Sequence, residues 1–287
     1  MSEFETAASG AFKGSQTGAQ ELCLNCDEAL QGDYCHTCGQ KRAAKSEMYV
    51  AHFFKHFLQE LLSLDSKLIR TFKTLLRYPG KLSAEFLDGK RLRYIRPVRL
   101  YLILSTIYFL FGSTGVLNLE NLFEFAGKIN PEQGASADSL MERIATKTGL
   151  STEHAIAKMN DAFQRNVKLF NISIVLFLAL FFKFLFRKQQ LVYVEHLVVS
   201  LHLHSFSLII SLITGPLILM TPHPVPIILM SIAPFCIYFY WALKRVYQLE
   251  RGPALRRSLL TVFVYLQLQG LARFVAMVFV VLEIVFI

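Results

Sequence analysis

Four of the chain's five cysteines stand close together, at Cys23, Cys26, Cys35 and Cys38, in a run that reads C-L-N-C, eight residues, then C-H-T-C. Two C-x-x-C pairs let four thiolates close a tetrahedron around Zn²⁺, each pair forming a tight knuckle. Gly39, one residue past the second pair, helps the chain turn, and Gly32 with Asp33 supplies a turn between the pairs. Four thiolates fill the coordination sphere, so the expected Zn²⁺ is structural, with no open position for catalysis. The competing reading is two disulfides. A strongly basic segment of cytosolic character follows directly, and thiols in that compartment stay reduced. A redox C-x-x-C usually comes singly on a helix N-terminus. His36 could replace one thiolate, although four cysteines suffice. The fifth cysteine, Cys236, lies deep in an apolar run and reads as inert.

A second set of chemically capable side chains sits where few belong. One long apolar run carries Glu195, His196, Ser200, His202, His204, Ser205 and Ser207, and the last carries Gln267, Gln269 and Arg273. At 100° per residue, His196, Ser200, His204, Ser207 and Ser211 form one stripe, while Glu195 and His202 share another face. Ionisable groups inside a membrane raise a site hypothesis by default. Glu195, His196, His202, His204 and Arg273 are therefore the candidate intramembrane polar site, although three histidines on one straight helix cannot all face one ion. Arg273 would lie near mid-membrane if its run is one straight helix. It needs a partner, and Glu195, the carboxylate available on the other runs, lies near a membrane edge. The alternative is that these groups hydrogen-bond helix to helix and fix packing.

The elements that must position these residues follow from composition. Hydrophobic residues make up 53% of the 287, mean hydropathy is +0.40, and charged residues fall to 18%. Soluble domains carry about 25% charge, so the deficit, concentrated in the second half, argues for an all-α integral membrane protein. Five apolar runs have the length of a span: 98–116, 168–186, 195–220, 225–247 and 258–287. Pro216, Pro222, Pro224, Pro226 and Pro234 could break helices where a cavity is lined.

The net charge of +9 could suggest nucleic acid, but its distribution speaks for a membrane surface. Between Lys41 and Arg99 lie fourteen Lys or Arg against five Asp or Glu. Residues 1–20 read as a disordered tail, 21–42 as the zinc ribbon, and 47–97 as cytosolic basic amphipathic helices. Val50, Phe53, Phe54, Phe57, Leu58, Leu61 and Leu62 recur at helical spacing opposite His52, Lys55 and His56; the pair His52 and His56, with Glu60, is read as a solvated face. Leu68, Ile69, Phe72, Leu75 and Leu76 form a second stripe, ended by Tyr78-Pro79-Gly80. Such helices fit an interfacial position and could equally pack against the spans. Next, Lys90, Arg91, Arg93, Tyr94 and Arg96 are expected at the cytosolic headgroup level. The outer loop, 117–167, has five Lys or Arg against seven Asp or Glu and is expected to hold helices near 137–148 and 151–167. Basic flanks alternate along the chain, which puts the N-terminus inside and the C-terminus outside.

With these motifs in view, the chain resembles a bacterial membrane family designated domain of unknown function 3667. The resemblance rests on C-L-N-C to Y-C-H-T-C-G-Q at Cys23 to Gln40, on Tyr78-Pro79-Gly80, on G-K-R-L-R-Y-I-R-P at Gly89 to Pro97, and on the Glu195 to His204 run. It implies a zinc ribbon followed by inner-membrane helices and brings no activity. Two function classes stay open. One is a membrane-anchored binding or scaffold module that recruits a cytosolic protein through the ribbon; nucleic acid is disfavoured, because the motif lacks interleaved aromatic and basic residues. The other is a membrane enzyme or transporter built on the histidine-rich run. No nucleotide-binding or nucleophile motif supports a specific reaction.

Overall fold

The computed structural model describes residues 21–42, 66–112, 151–221 and 224–286, with residues 127, 132, 139, 142–147 and 149 between them. The expected tail 1–20, the first amphipathic run with His52, His56 and Glu60, positions 113–116, and most of the outer loop lie outside the described residues. The chain divides into a small N-terminal unit, 1–44, and a second unit, 45–287.

The N-terminal unit is built from two copies of one turn. Cys23 N–H donates to Glu28 O at 2.7 Å, Asp27 N–H to Cys23 O at 2.8 Å, and Leu30 N–H to Glu21 O at 2.8 Å. The same three bonds recur twelve positions on: Cys35 to Gln40, Gly39 to Cys35, and Arg42 to Asp33. Two isolated antiparallel bridges, Leu22 with Ala29 and Tyr34 with Lys41, repeat in the same register. Each knuckle needs a left-handed residue after its second cysteine. Gly39 supplies it at φ 73°, where glycine has no Cβ penalty, and Asp27 supplies it at φ 60°, a conformation that short polar residues tolerate. Arg42 pairs with Glu21 at 3.3 Å.

The second unit is helical throughout its described residues. Helix α1 (Ser66–Arg77) and α2 (Lys81–Leu87) form the amphipathic pair, and α3 (Pro97–Gly112) follows. Then come α4 (Thr152–Leu185), a 3₁₀ turn at Arg187–Gln189, α5 (Tyr193–Met220), α6 (Pro224–Val246) and α7 (Arg251–Phe286). Four of these, α4 to α7, are long and apolar enough to cross a bilayer. The expected first span is described as α3 with 16 residues, about 24 Å of helix at 1.5 Å per residue, against a hydrocarbon core of about 30 Å. By length, then, the described residues give four spans and one shorter apolar helix.

Two boundaries differ from the sequence reading. The expected loop helix at 151–167 and the expected span at 168–186 are one 34-residue helix, α4, capped by Ser151. Hydropathy drops before Lys168, but no Gly or Pro interrupts the segment, so polarity changes while the helix continues. Likewise α7 begins at Arg251, ahead of its apolar run. The helices pass through Pro216 and Pro234 without ending.

Helix α5 is the centre of the bundle: 61% of its apolar window is buried, against 17% in α6 and in α7. Around it the outward faces carry Phe177, Phe184, Ile213, Met230, Phe263 and Phe274, all exposed. Water would not tolerate so continuous an apolar surface, whereas lipid does. Helices α4 and α7 form the most extensive pairing, and Arg165 of α4 donates to Glu283 of α7.

The amphipathic pair docks on the bundle. Tyr238 of α6 donates its hydroxyl to Leu75 O at 2.9 Å, and Arg245 donates to Pro79 O at 2.7 Å. Gly80, at φ 73°, lets the α1–α2 turn lie directly on α6; a Cβ there would stand 2.7 Å from both the Cα and the carbonyl oxygen of Ala242. Leu75 and Thr71 are buried, whereas Ile69 and Leu76 of the same expected apolar stripe are exposed. One side of α1 therefore covers protein, and the other presents Ile69, Leu76, Arg70 and Lys73 outward.

Candidate functional site

In the N-terminal unit the two knuckles bring four sulfurs together. Cys23 Sγ lies 3.6 Å from Cys38 Sγ and Cys26 Sγ 3.6 Å from Cys35 Sγ, and all four lie within 4.8 Å of one another. A tetrahedral Zn²⁺ with bonds of about 2.3 Å places its thiolates about 3.8 Å apart, so the set fits the ion. All five cysteines of the chain are free thiols. Backbone N–H groups of the knuckle, that of Cys38 foremost and that of Thr37 next, point at Cys35 and lower its thiol to about 6. For Cys26 the Glu28 backbone bond also lowers the thiol, but desolvation and the neighbouring thiols outweigh it and raise it to about 12. Four thiols this close resist ionising together unless a cation offsets them, which is the chemistry of a metal site. Among the described residues these four cysteines are the metal-capable cluster.

The intramembrane residues are placed differently from one another. His196, His202 and His204 are buried, and each presents Nδ1 to a hydroxyl from a different element. His196 meets Tyr247 OH just past α6 at 2.8 Å, His202 meets Ser83 Oγ of α2 at 2.8 Å, and His204 meets Tyr265 OH of α7 at 2.8 Å. The stripe read from the sequence thus faces α6 and α7, and His202 faces the amphipathic pair. Ser200 and Ser207, on that stripe, donate to carbonyls four residues back, His196 O and Leu203 O.

Glu195 is spent on its own helix. Its Oε2 accepts the Val192 N–H at 2.7 Å, the usual use of an acidic residue three positions into a helix. It is therefore not the partner of Arg273. That arginine, on an uninterrupted α7, is exposed at the bundle surface and lines a pocket with Tyr108, Val167, Asn171, Ile174, Gln269 and Ala272. Asn171 lies six residues, about 9 Å of helix, from Arg165. On its own helix Arg273 lies ten residues, about 15 Å, before Glu283.

Sequence reading did not supply the partners. Ser83 and Tyr247 were not singled out, because no local spacing ties them to the histidines. An aromatic and cationic stack also escaped it: Arg257 over Phe186 at 5.2 Å, Phe186 on Tyr247 at 3.6 Å, and Tyr247 beside His196. It ties the ends of α4 and α6 to the starts of α5 and α7.

Of the residues expected at headgroup level, Arg93 is exposed and lies 3.9 Å from Glu85, which Lys81 approaches to 3.7 Å. Arg91 sits over the Phe86 ring at 5.4 Å, Lys90 is half-buried and Arg96 is exposed. Partial burial, then a hydrogen bond with Glu85, holds the Tyr94 hydroxyl above its ordinary range.

Fold and site together define a class: a multi-helix chain with the make-up of a membrane protein and a four-cysteine cluster near its N-terminus. Residues 65–109 match the family described as Protein of unknown function (DUF3667), the family that the residues themselves suggested. The matched stretch takes in α1, α2, the basic turn and most of α3; the cysteine motif and the Glu195 to His204 run lie outside it. No curated protein and no solved structure matches the chain.

Proposed function

We propose that the chain is a multi-pass protein of the bacterial inner membrane. Its N-terminal ribbon holds one structural Zn²⁺ on the cytosolic side and serves as a docking module for a cytosolic protein. The convergence of four sulfurs within 4.8 Å carries this reading, because it provides a complete ligand set without a vacant position. A closed metal site stabilises a small fold and presents its surface; it does not activate water. Loop charge supports the orientation, with the cations of 187–188, 244–245 and 251–257 on the side of α1 and α2. The C-terminus then lies outside. The exposed Ile69, Leu76, Arg70 and Lys73 of α1 suit an acidic headgroup layer.

The histidines of α5 act as helix ties in this reading, since each is engaged by a different neighbour. The test is the metal-to-protein ratio of detergent-purified chain. Wild type and His196→Ala/His204→Ala should each hold about one Zn²⁺, and Cys35→Ser/Cys38→Ser none. A second equivalent of metal lost with the histidines would overturn the scaffold reading in favour of chemistry within the membrane. Cysteines recovered oxidised and metal-free would remove its foundation.

A further inference from the structure

The turn between α1 and α2 and the helix on which it rests carry two matching aromatic–cation pairs. Tyr78 of the turn is exposed, and the Lys81 ammonium stands 5.1 Å from the centre of its ring. Trp241 of α6, the chain's single tryptophan, is exposed as well, and the Lys244 ammonium stands 5.2 Å from the centre of its ring. The two pairs sit on segments in direct contact, since Gly80 lies against Ala242 and Arg245 donates to Pro79 O at 2.7 Å.

The order of residues along α6 gives the pairs a setting. At 100° per residue, Met230, Ile237, Trp241 and Lys244 fall within about 60° of one another on the helix. Met230 and Ile237 are exposed and apolar, Trp241 follows, and Lys244 comes last. Apolar surface, then an amphipathic ring, then a cation is the sequence of chemistries met on leaving a bilayer. Helix α1 adds charge of one sign: it holds Lys67, Arg70, Lys73 and Arg77, contains no Asp or Glu, and exposes the last three of these cations. Glu85 of α2 is already engaged, by Lys81 at 3.7 Å and Arg93 at 3.9 Å. A ring beneath an ammonium attracts it without neutralising it, so Lys244 keeps its charge for a further partner.

We propose that this corner of the molecule binds an acidic phospholipid. Arg77, Lys81 and Lys244 draw its headgroup phosphate, Tyr78 and Trp241 lie at the level of its glycerol, and its acyl chains follow the Met230–Ile237 stripe. The proposal rests on the membrane reading above and adds the chemistry of the lipid.

Trp241 is a built-in probe, because no second tryptophan contributes to the emission. Full-length protein is reconstituted in mixed bilayers of phosphatidylcholine and phosphatidylglycerol, with dibrominated acyl chains, which quench indole on contact, on one lipid or the other. In wild type, phosphatidylglycerol should compete for the Trp241 position about fivefold better than phosphatidylcholine, roughly what one cation near the surface contributes. Lys81→Gln/Lys244→Gln should bring that preference close to one, and Arg77→Gln, at an exposed position, should lower it part of the way. Arg187→Gln/Lys188→Gln, which removes two exposed cations from the turn between α4 and α5, should leave it unchanged. Unchanged melting temperatures check that the variants fold. Equal quenching of wild type by the two brominated lipids would overturn the acidic-lipid site and leave the membrane reading standing. Quenching by neither would separate Trp241 from lipid and overturn both. An equal loss of preference in the Arg187/Lys188 variant would overturn the local site and leave diffuse surface charge in its place.

Discussion

Gly80 is the position at which a single methyl group should do most damage. Its left-handed backbone and its contact with Ala242 both exclude a side chain, so Gly80→Ala should lower stability by about 2 kcal/mol or more, read from thermal unfolding in detergent. The histidine ties rank differently. Tyr247→Phe strips one hydroxyl from His196, whereas Tyr265→Phe strips it from both His204 and Gln269. At about 1–2 kcal/mol for each buried group left unpaired, Tyr265→Phe should cost the more, and the two melting curves can be compared directly. The zinc proposed for the four cysteines should respond to acid. Cys26, raised to about 12 without metal, must lose its proton on binding, so metal should be released as pH falls and protons compete for the sulfurs. Release monitored with a chromogenic chelator checks this, and retention of zinc at about pH 4 would contradict thiolate ligation. The knuckles were legible because their ligands are local, three residues apart within each pair. The twelve-residue repeat was not, because it lives in backbone bonds that link unlike side chains, Asp27 standing for Gly39 and Glu28 for Gln40.

Among the elements, the apolar runs at 195–220 and 225–247 were read to within two residues at each end, and α7 only at its far end. Their ends coincide with Pro, turns and clustered cations, which act locally. The start of α4 was misplaced because hydrophobicity marks where lipid ends, not where a helix ends. At 34 residues α4 is about 51 Å long, so roughly 20 Å of it stands beyond the hydrocarbon. The Arg165–Glu283 pair ties this overhang to α7, yet both side chains are substantially exposed, at 58% and 35%. Glu283→Gln should therefore cost less than about 1 kcal/mol, and a larger loss in the melting curve would mean that lipid shields the pair from water. No periodicity could have paired His202 with Ser83, since 119 residues separate them and either could have faced any neighbour.

At the scale of the molecule, the amphipathic pair belongs to the bundle rather than lying apart on its surface. Tyr238 meets Leu75 across 163 residues of chain and Arg245 meets Pro79 across 166. Those separations also fix an order of events. During synthesis α1 and α2 leave the ribosome first, but the helix that receives them comes some 160 residues later. At roughly 5–20 residues per second that interval is on the order of ten to thirty seconds. Throughout it Leu75, buried in the finished protein, lacks the α6 face that covers it. In the interfacial orientation proposed above, a cationic segment with Phe72 and Phe86 is suited to wait on a bilayer surface for that time, and the residues that later grip α6 would then serve as a temporary mooring for the nascent chain.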